Sequence, residues 1–191
     1  MLFKRIKMKN EKGFSLIELL IVVALIAIVA AIAMWGTGSI QGRNLTAASK
    51  QLYGDLQKTR IDAMTQSPSG ANSRGFGIRF VSNTTYTVFE FNDANGDFQY
   101  AGTGEETNTR QVTLPSGVTV TVGDAGDPTL AANIRIYDKG GMIRNTSWSI
   151  GNTQDIKYVL SLSGVSQKRC VKIETVRIRE GVWDGNNCQS Q

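Results

Sequence analysis

The 191-residue chain contains no histidine, and it has only two cysteines and three prolines. Without histidine it cannot form a Ser-His-Asp triad or a Cys-His nucleophile pair, and it lacks the commonest metal ligand of proteins. It also lacks a P-loop and a dinucleotide-binding fingerprint. The adjacent Glu105 and Glu106 lie in a Gly- and Thr-rich stretch that favours a solvated turn over a catalytic pair. The sequence therefore predicts neither an enzymatic activity nor a cofactor.

One long stretch of the chain has no charge. Residues 19–34 contain no charged side chain and no proline, and only Glu18 interrupts the apolar residues before them. As a helix rising ~1.5 Å per residue, about twenty apolar positions would cross a ~30 Å hydrocarbon core. Five lysines and arginines precede the stretch, which predicts a membrane segment whose N-terminal side stays in the cytoplasm.

Glu18 is energetically unfavourable in such a segment, because a charged side chain at the centre of a bilayer costs ~2.5–3.5 kcal/mol. A secretory signal peptide cleaved after Ala31-Ile32-Ala33 would account for the apolar stretch, and so would a plain signal anchor. Neither alternative gives Glu18 a role. The position of this acid predicts a partner of opposite charge.

The residues Lys12-Gly13-Phe14-Ser15-Leu16-Ile17-Glu18, with the apolar run behind them, resemble the processing site of type IV prepilins and type II secretion pseudopilins. The resemblance implies cleavage after Gly13 by a prepilin peptidase, N-methylation of Phe14, and neutralisation of a neighbouring subunit's terminal amine by Glu18. Opposite charges attract strongly in a low dielectric, so this pairing supplies the partner that Glu18 needs. The implied partners are other pilins, the peptidase and an inner-membrane assembly platform.

The resemblance also implies an organisation in four segments. Residues 1–13 are the expected prepilin leader, 14–35 the transmembrane and assembly helix, 36–66 the amphipathic half of the helix, and 67–191 a β-rich head. Loss of residues 1–13, whose net charge is +4, would lower the net charge of the chain from +5 to +1. The expected location is the bacterial inner membrane, with the head in the periplasm, and then a filament.

The helical pattern continues beyond the apolar run. The repeating positions are Leu45, Ala48, Leu52, Leu56, Thr59 and Ala63. Their spacing of three and four residues predicts a helix face that packs on a core, and Pro68 is expected to end the helix. Many pilins have a proline near the position of Trp35, where this chain has a glycine-weakened stretch, Gly36-Thr37-Gly38, instead.

The rest of the sequence is rich in β-branched and aromatic residues that are separated by Gly, Asn, Asp and Ser clusters. The predicted strands cover residues 77–81, 85–91, 118–122, 134–137, 156–162 and 171–178. No helical pattern intervenes, so we expect antiparallel pairing and short connections. The expected fold class is α+β, with a long N-terminal helix and an antiparallel β-sheet head like that of type IV pilins.

The two cysteines, Cys170 and Cys188, lie near the end of the chain. In a periplasmic or extracellular compartment they favour a disulfide, which would close a segment of 19 residues. A disulfide near the C-terminus is also similar to what many pilins have. Two free, buried thiols are the alternative.

An acidic loop offers a weak metal motif. Asp93, Asn95 and Asp97 place oxygen-bearing side chains at positions 1, 3 and 5 of a loop that resembles an EF-hand, which would suit calcium. The pattern then departs from the EF-hand, because Phe98 replaces the turn glycine and Gly104 occupies position 12. An Asn-Gly pair in the loop favours a plain hairpin turn. The sequence therefore predicts no metal, with calcium as the weaker alternative.

A basic cluster near the C-terminus consists of Lys168, Arg169, Lys172, Arg177 and Arg179. Within the pilin family the chain most resembles the GspH/FimT/FimU group, some members of which bind DNA through a C-terminal Gly-Arg-x-Arg motif. That motif is absent here, and charges that protect an exposed strand from aggregation are the favoured interpretation. The resemblance implies a structural minor pilin or pseudopilin of a type IV pilus or type II secretion pseudopilus, in a tip or initiation complex. DNA binding through clustered cations is the alternative function.

Overall fold

The protein is described here from a computed structural model, which covers residues 15–66, 72–122, 133–149, 156–174 and 177–190. For residues 33–41 and Val122 the backbone alone is described. The chain divides into two compact units between Ile40 and Gln41. We call the first the N-terminal unit and the second, from Gln41 onwards, the head unit.

A single helix, α1, covers Leu16–Thr65 and contributes to both units. Its end lies three residues before Pro68, close to the predicted stop. In the N-terminal unit, all side chains described between residues 15 and 32 are exposed, and twelve large apolar ones are 47–81% exposed. Within the described residues, no helix combines the length and the apolar character required of a membrane span.

The head unit adds two five-stranded antiparallel sheets to the second part of α1. Its strands are β1 Ser73–Ser82, β2 Thr85–Asn92, β3 Glu106–Thr113, β4 Val118–Val122, β5 Ile134–Asp138, β6 Ile143–Arg144, β7 Ile156–Leu162, β8 Lys168–Ile173, β9 Ile178–Trp183 and β10 Cys188–Ser190. The first sheet has the order β3-β2-β1-β5-β6 and the second β10-β9-β8-β7-β4. A short 3₁₀ turn, Thr103–Glu105, precedes β3.

The predicted helix face is confirmed, since all six of its positions are at most 3% exposed. The five apolar ones pack in one core with side chains of both sheets, for example Tyr86 from β2 and Leu160 from β7. Successive side chains of a strand point to opposite faces, and the other face of the first sheet carries a second apolar cluster around Phe89 and Phe91. Tyr100 and Trp148, from two connecting loops, cover that cluster.

The α+β fold class is confirmed: an N-terminal helix is followed by antiparallel sheets, as in type IV pilins. The predicted strands 118–122 and 156–162 match β4 and β7 residue for residue. The single strand predicted over 171–178 is wrong. The chain turns there, because the N–H of Glu174 donates to the carbonyl of Arg177 at 2.7 Å and closes a hairpin between β8 and β9.

Candidate functional site

The predicted processing segment, residues 12–18, is described only from Ser15 onwards, so Gly13 and Phe14 lie outside the described residues. Ser15 directly precedes helix α1 and caps its start: its hydroxyl oxygen and its carbonyl oxygen accept the backbone N–H of Glu18 at 3.3 and 3.0 Å. Glu18 therefore lies in the first helical turn, where a carboxylate is stabilised by the helix dipole by ~0.3–1 kcal/mol. The spacing Ser-x-x-Glu is typical of a capping box and could have indicated this local role from the sequence.

The surroundings of Glu18 are apolar and exposed. Leu16, Ile17, Leu19 and Leu20 are each more than 60% exposed. Glu18 itself is also exposed. Among the described residues of the N-terminal unit, Glu18 is thus the one negative charge, and it lies at the beginning of an apolar helix surface where a cation of another chain can reach it.

The predicted disulfide between Cys170 and Cys188 is present, with the two Cα atoms 5.8 Å apart. It joins β8 to β10 across the intervening strand β9. Gly181 of β9 pairs with Cys170, and a Cβ atom added to Gly181 would overlap the carbonyl oxygen of Gln189 in β10. The disulfide and the missing side chain of Gly181 together allow β10 to pair closely with β9 at the edge of the second sheet.

The basic cluster is divided between the two faces of the β8–β9 hairpin. Arg169 lies on the same face as Val171, which belongs to the core beneath α1. Its guanidinium donates to Glu180 Oε1 at 2.8 Å, and the hydroxyl of Ser49 in α1 donates to the same oxygen at 3.0 Å. Arg169 is therefore engaged at the packing surface of the helix.

The other four cations of the basic cluster have different surroundings from those of Arg169. Lys172 and Arg179 are paired opposite each other, and both contact Glu174, at 3.1 and 3.4 Å. Lys168 and Arg177 are exposed. The structure thus does not gather the five cations into a single positive face, and Glu174 and Glu180 reduce their combined charge.

The acidic loop brings together three carboxylates. One oxygen each of Asp93, Asp97 and Glu105 lies within 4.8 Å of the others. Of the three residues predicted as a calcium alternative, Asp93 and Asp97 belong to this group. Asn95 instead supports Asp97, since its amide donates to Asp97 Oδ2 at 3.0 Å. Glu105 is the residue that the EF-hand pattern missed, because it lies one position beyond Gly104.

Asp93 is completely buried. Its Oδ2 accepts hydrogen bonds from Arg74 Nε at 3.0 Å and from the N–H of Phe98 at 3.2 Å, whereas its Oδ1 has no hydrogen-bond partner. Glu105 is 8% exposed and accepts the N–H of Ala101 at 2.6 Å. The solvated turn predicted for Glu105 is therefore wrong.

The same prediction is wrong for Glu106, which begins β3. Its carboxylate accepts two hydrogen bonds from the guanidinium of Arg79, at 2.6 and 2.9 Å, and a further one from the hydroxyl of Tyr100. Burial opposes ionisation of Glu106, but the hydrogen bonds from Arg79 and Tyr100 hold its pKa below the usual value. Burial, followed by the hydrogen bond to Glu106, raises the pKa of Tyr100.

Another carboxylate, that of Asp55, links α1 to the first sheet. Its Oδ2 accepts the hydroxyl of Tyr86 at 2.6 Å, and its Oδ1 accepts Arg110 Nη2 of β3 at 2.7 Å. Burial and the hydrogen bond to Asp55 raise the pKa of Tyr86. No sequence pattern indicated this contact, because the partners are 31 and 55 residues apart.

In a comparison with protein families, residues 8–34 fit the model described as the prokaryotic N-terminal methylation motif. The matched range includes Gly13, Phe14 and Glu18 and ends with the apolar run. No solved structure matches the chain. The match and the α+β fold together support a type IV pilin-like precursor.

Proposed function

We propose that the protein is a structural subunit of a type IV pilin-like filament, made as a precursor and processed before assembly. The observation that carries this proposal is the methylation motif over residues 8–34, placed on a helix whose described residues 16–32 are all exposed and, except for Glu18, all apolar. The proposed processing is cleavage after Gly13 by a prepilin peptidase and methylation of the new Phe14 amine. No catalytic role is assigned to the chain.

The exposed helix surface supports assembly. A helix that is apolar on every side requires lipid or other helices around it. Removing a fully exposed large apolar side chain from water contributes ~1.5–3 kcal/mol. Because the twelve side chains are 47–81% exposed, covering all of them would contribute on the order of 10–20 kcal/mol relative to water. In the proposed sequence of events, segment 14–35 lies in the inner membrane with the head in the periplasm, and other subunits then replace the lipid.

Glu18 would direct this assembly. Two unit charges 4 Å apart attract by ~4 kcal/mol at an effective dielectric constant of ~20, and a neighbouring subunit's Phe14 amine supplies the opposite charge. The hydrogen bonds between Ser15 and the Glu18 N–H keep the acid in the first helical turn. The proposed contact therefore needs no rearrangement of the helix start.

Within the filament, we assign the chain to the minor pilins or pseudopilins, most like the GspH/FimT/FimU group, in a tip or initiation complex. The support is the large, loop-rich head with its two sheets and its C-terminal disulfide. The proposed partners are other pilins or pseudopilins, the prepilin peptidase and an inner-membrane assembly platform. The host machine would be a type IV pilus or a type II secretion pseudopilus.

The alternative function, DNA uptake through the basic cluster, has less support. Arg169 is engaged beside α1, and Lys172 and Arg179 contact Glu174. Lys168 and Arg177 remain as exposed cations on which phosphate binding would depend.

The experiment that tests the proposal replaces Glu18 by alanine in the host cell. A filament subunit carrying Glu18→Ala should lose its leader and form its disulfide, and yet be lost from the sheared filament fraction. Asp62→Ala is the matched control, because it removes a carboxylate whose described partner is Lys58, one helical turn away. Normal incorporation of the Glu18→Ala subunit would refute the proposed assembly role.

A further inference from the structure

We propose that the loop between β2 and β3 binds a calcium ion through Asp93, Asp97 and Glu105. The three residues come from different places in the connection: Asp93 directly follows β2, Asp97 lies at the exposed tip, and Glu105 ends the 3₁₀ turn before β3. One carboxylate oxygen of each lies within 4.8 Å of the other two. This inference does not depend on the proposed filament role.

The spacing suits a single ion. Calcium binds oxygen ligands at ~2.3–2.6 Å, so two oxygens on the same ion lie at most about 5 Å apart. The three oxygens already meet this limit. Backbone carbonyls of the loop and water can complete the six to eight ligands that calcium takes.

The second observation is the unpartnered oxygen of Asp93. Its side chain is fully buried, and Oδ1 has no hydrogen bond, although Oδ2 has two. Burying a carboxylate oxygen without a partner is unfavourable. A cation between Asp93, Asp97 and Glu105 would be coordinated by Oδ1 of Asp93, while Arg74 remains hydrogen-bonded to Oδ2.

The charges agree with a divalent ion. The three carboxylates carry three negative charges, and Arg74 supplies one positive charge at Asp93. Two negative charges are left for a ligand to neutralise. Calcium fits better than magnesium, because magnesium demands near-ideal octahedral geometry and usually takes only one or two protein carboxylates.

The test uses the full chain in detergent, stripped of metal with a chelator. If Kd lies in the range of extracellular calcium modules, ~10⁻⁴–10⁻³ M, 10 mM calcium chloride should raise the Tm by roughly 3–10 °C. Equilibrium dialysis should give one calcium per chain. Glu105→Gln and Asp97→Asn should each abolish most of the shift, whereas the control Asp62→Asn should keep it.

Asp97 is exposed, so Asp97→Asn is expected to fold even if Glu105→Gln does not, and the titration of the unmodified chain decides the matter independently of any variant. The proposal is overturned if calcium leaves the Tm of the unmodified chain unchanged. It is also overturned if magnesium chloride gives an equal shift, or if Asp97→Asn responds to calcium like the unmodified chain. A filament defect in Glu18→Ala would have no bearing on these outcomes.

Discussion

Removing the carboxylate of Asp55 is expected to destabilise the head unit by loosening α1 from the first sheet. Asp55 accepts the hydroxyl of Tyr86 at 2.6 Å, and the Tyr86 side chain is completely buried. Its second partner, Arg110, is 53% exposed and lies 2.7 Å from Asp55 Oδ1. The two contacts therefore differ in kind: one is a buried hydrogen bond to a charge, and the other is a surface ion pair.

The magnitudes follow from that difference. A hydrogen bond to a charged group contributes ~1.5–3 kcal/mol, and a buried hydroxyl left without an acceptor costs ~1–3 kcal/mol. The exposed pair with Arg110 contributes at most ~1 kcal/mol. Asp55→Ala should therefore cost about 2–4 kcal/mol, which corresponds to a decrease in Tm of roughly 4–16 °C for a chain of this size. Tyr86→Phe should cost less, because it removes the buried hydroxyl together with its need for an acceptor.

The assay is a double-mutant cycle of Asp55→Ala and Tyr86→Phe, measured by thermal and urea denaturation of the full chain in detergent. The cycle should give a coupling energy of about 1.5–3 kcal/mol. Asp62→Ala serves as control and should change stability by less than ~0.5 kcal/mol, since it removes a surface helix pair. Additive single effects, with a coupling below ~0.5 kcal/mol, would show that the Asp55–Tyr86 contact does not hold the helix to the sheet.

Three other predictions concern the head unit. The folded state lowers the pKa of Glu106, so its ionised form contributes stability above the unfolded pKa of ~4.3, and this contribution is lost as the pH falls through the folded pKa. The difference in Tm between the unmodified chain and Glu106→Gln should therefore shrink from pH 6 to pH 3. A constant difference would contradict this prediction. Replacing Cys170 by serine should cost about 3 kcal/mol, or roughly 6–12 °C in Tm, and reduction of the unmodified chain should reproduce the loss; an unchanged Tm would refute it. Gel shifts should show DNA binding that is weak at low salt and absent at moderate salt, and strong binding abolished by Lys168→Ala with Arg177→Ala would instead favour the DNA-uptake alternative.

Periodic patterns were the part of the fold that the sequence could predict. The helix face from Leu45 to Ala63 and the strands β4 and β7 of the second sheet have apolar residues at regular intervals, and such a periodicity indicates which side chains are buried. Strand β3 was missed because its sequence, ETNTRQVT, is almost entirely polar, and Val112 is its one buried residue. An edge strand that exposes most of its side chains leaves no apolar alternation to detect.

The candidate sites also differ in how far they could be predicted from the sequence. The residues of the predicted processing segment are consecutive, so its pattern could be read directly from the sequence, and a family model matches the same range. The acidic group was identified only in part, because the 3₁₀ turn Thr103–Glu105 brings Glu105 to Asp93 and fixed EF-hand spacing cannot anticipate that turn. Arg169 and Lys172 lie on opposite faces of β8, because successive side chains of a strand alternate between its faces. This could be predicted only once the bounds of β8 were known.

The most direct test of the central claim is the N-terminus of the native protein. Intact mass measurement and N-terminal sequencing of material isolated from host membranes should give N-methylated Phe14 as the first residue. An N-terminus at Met34 would indicate a signal peptide cleaved after Ala31-Ile32-Ala33, and an intact Met1 would indicate a plain anchor. Either result would contradict the assignment of the chain as a processed, filament-forming subunit.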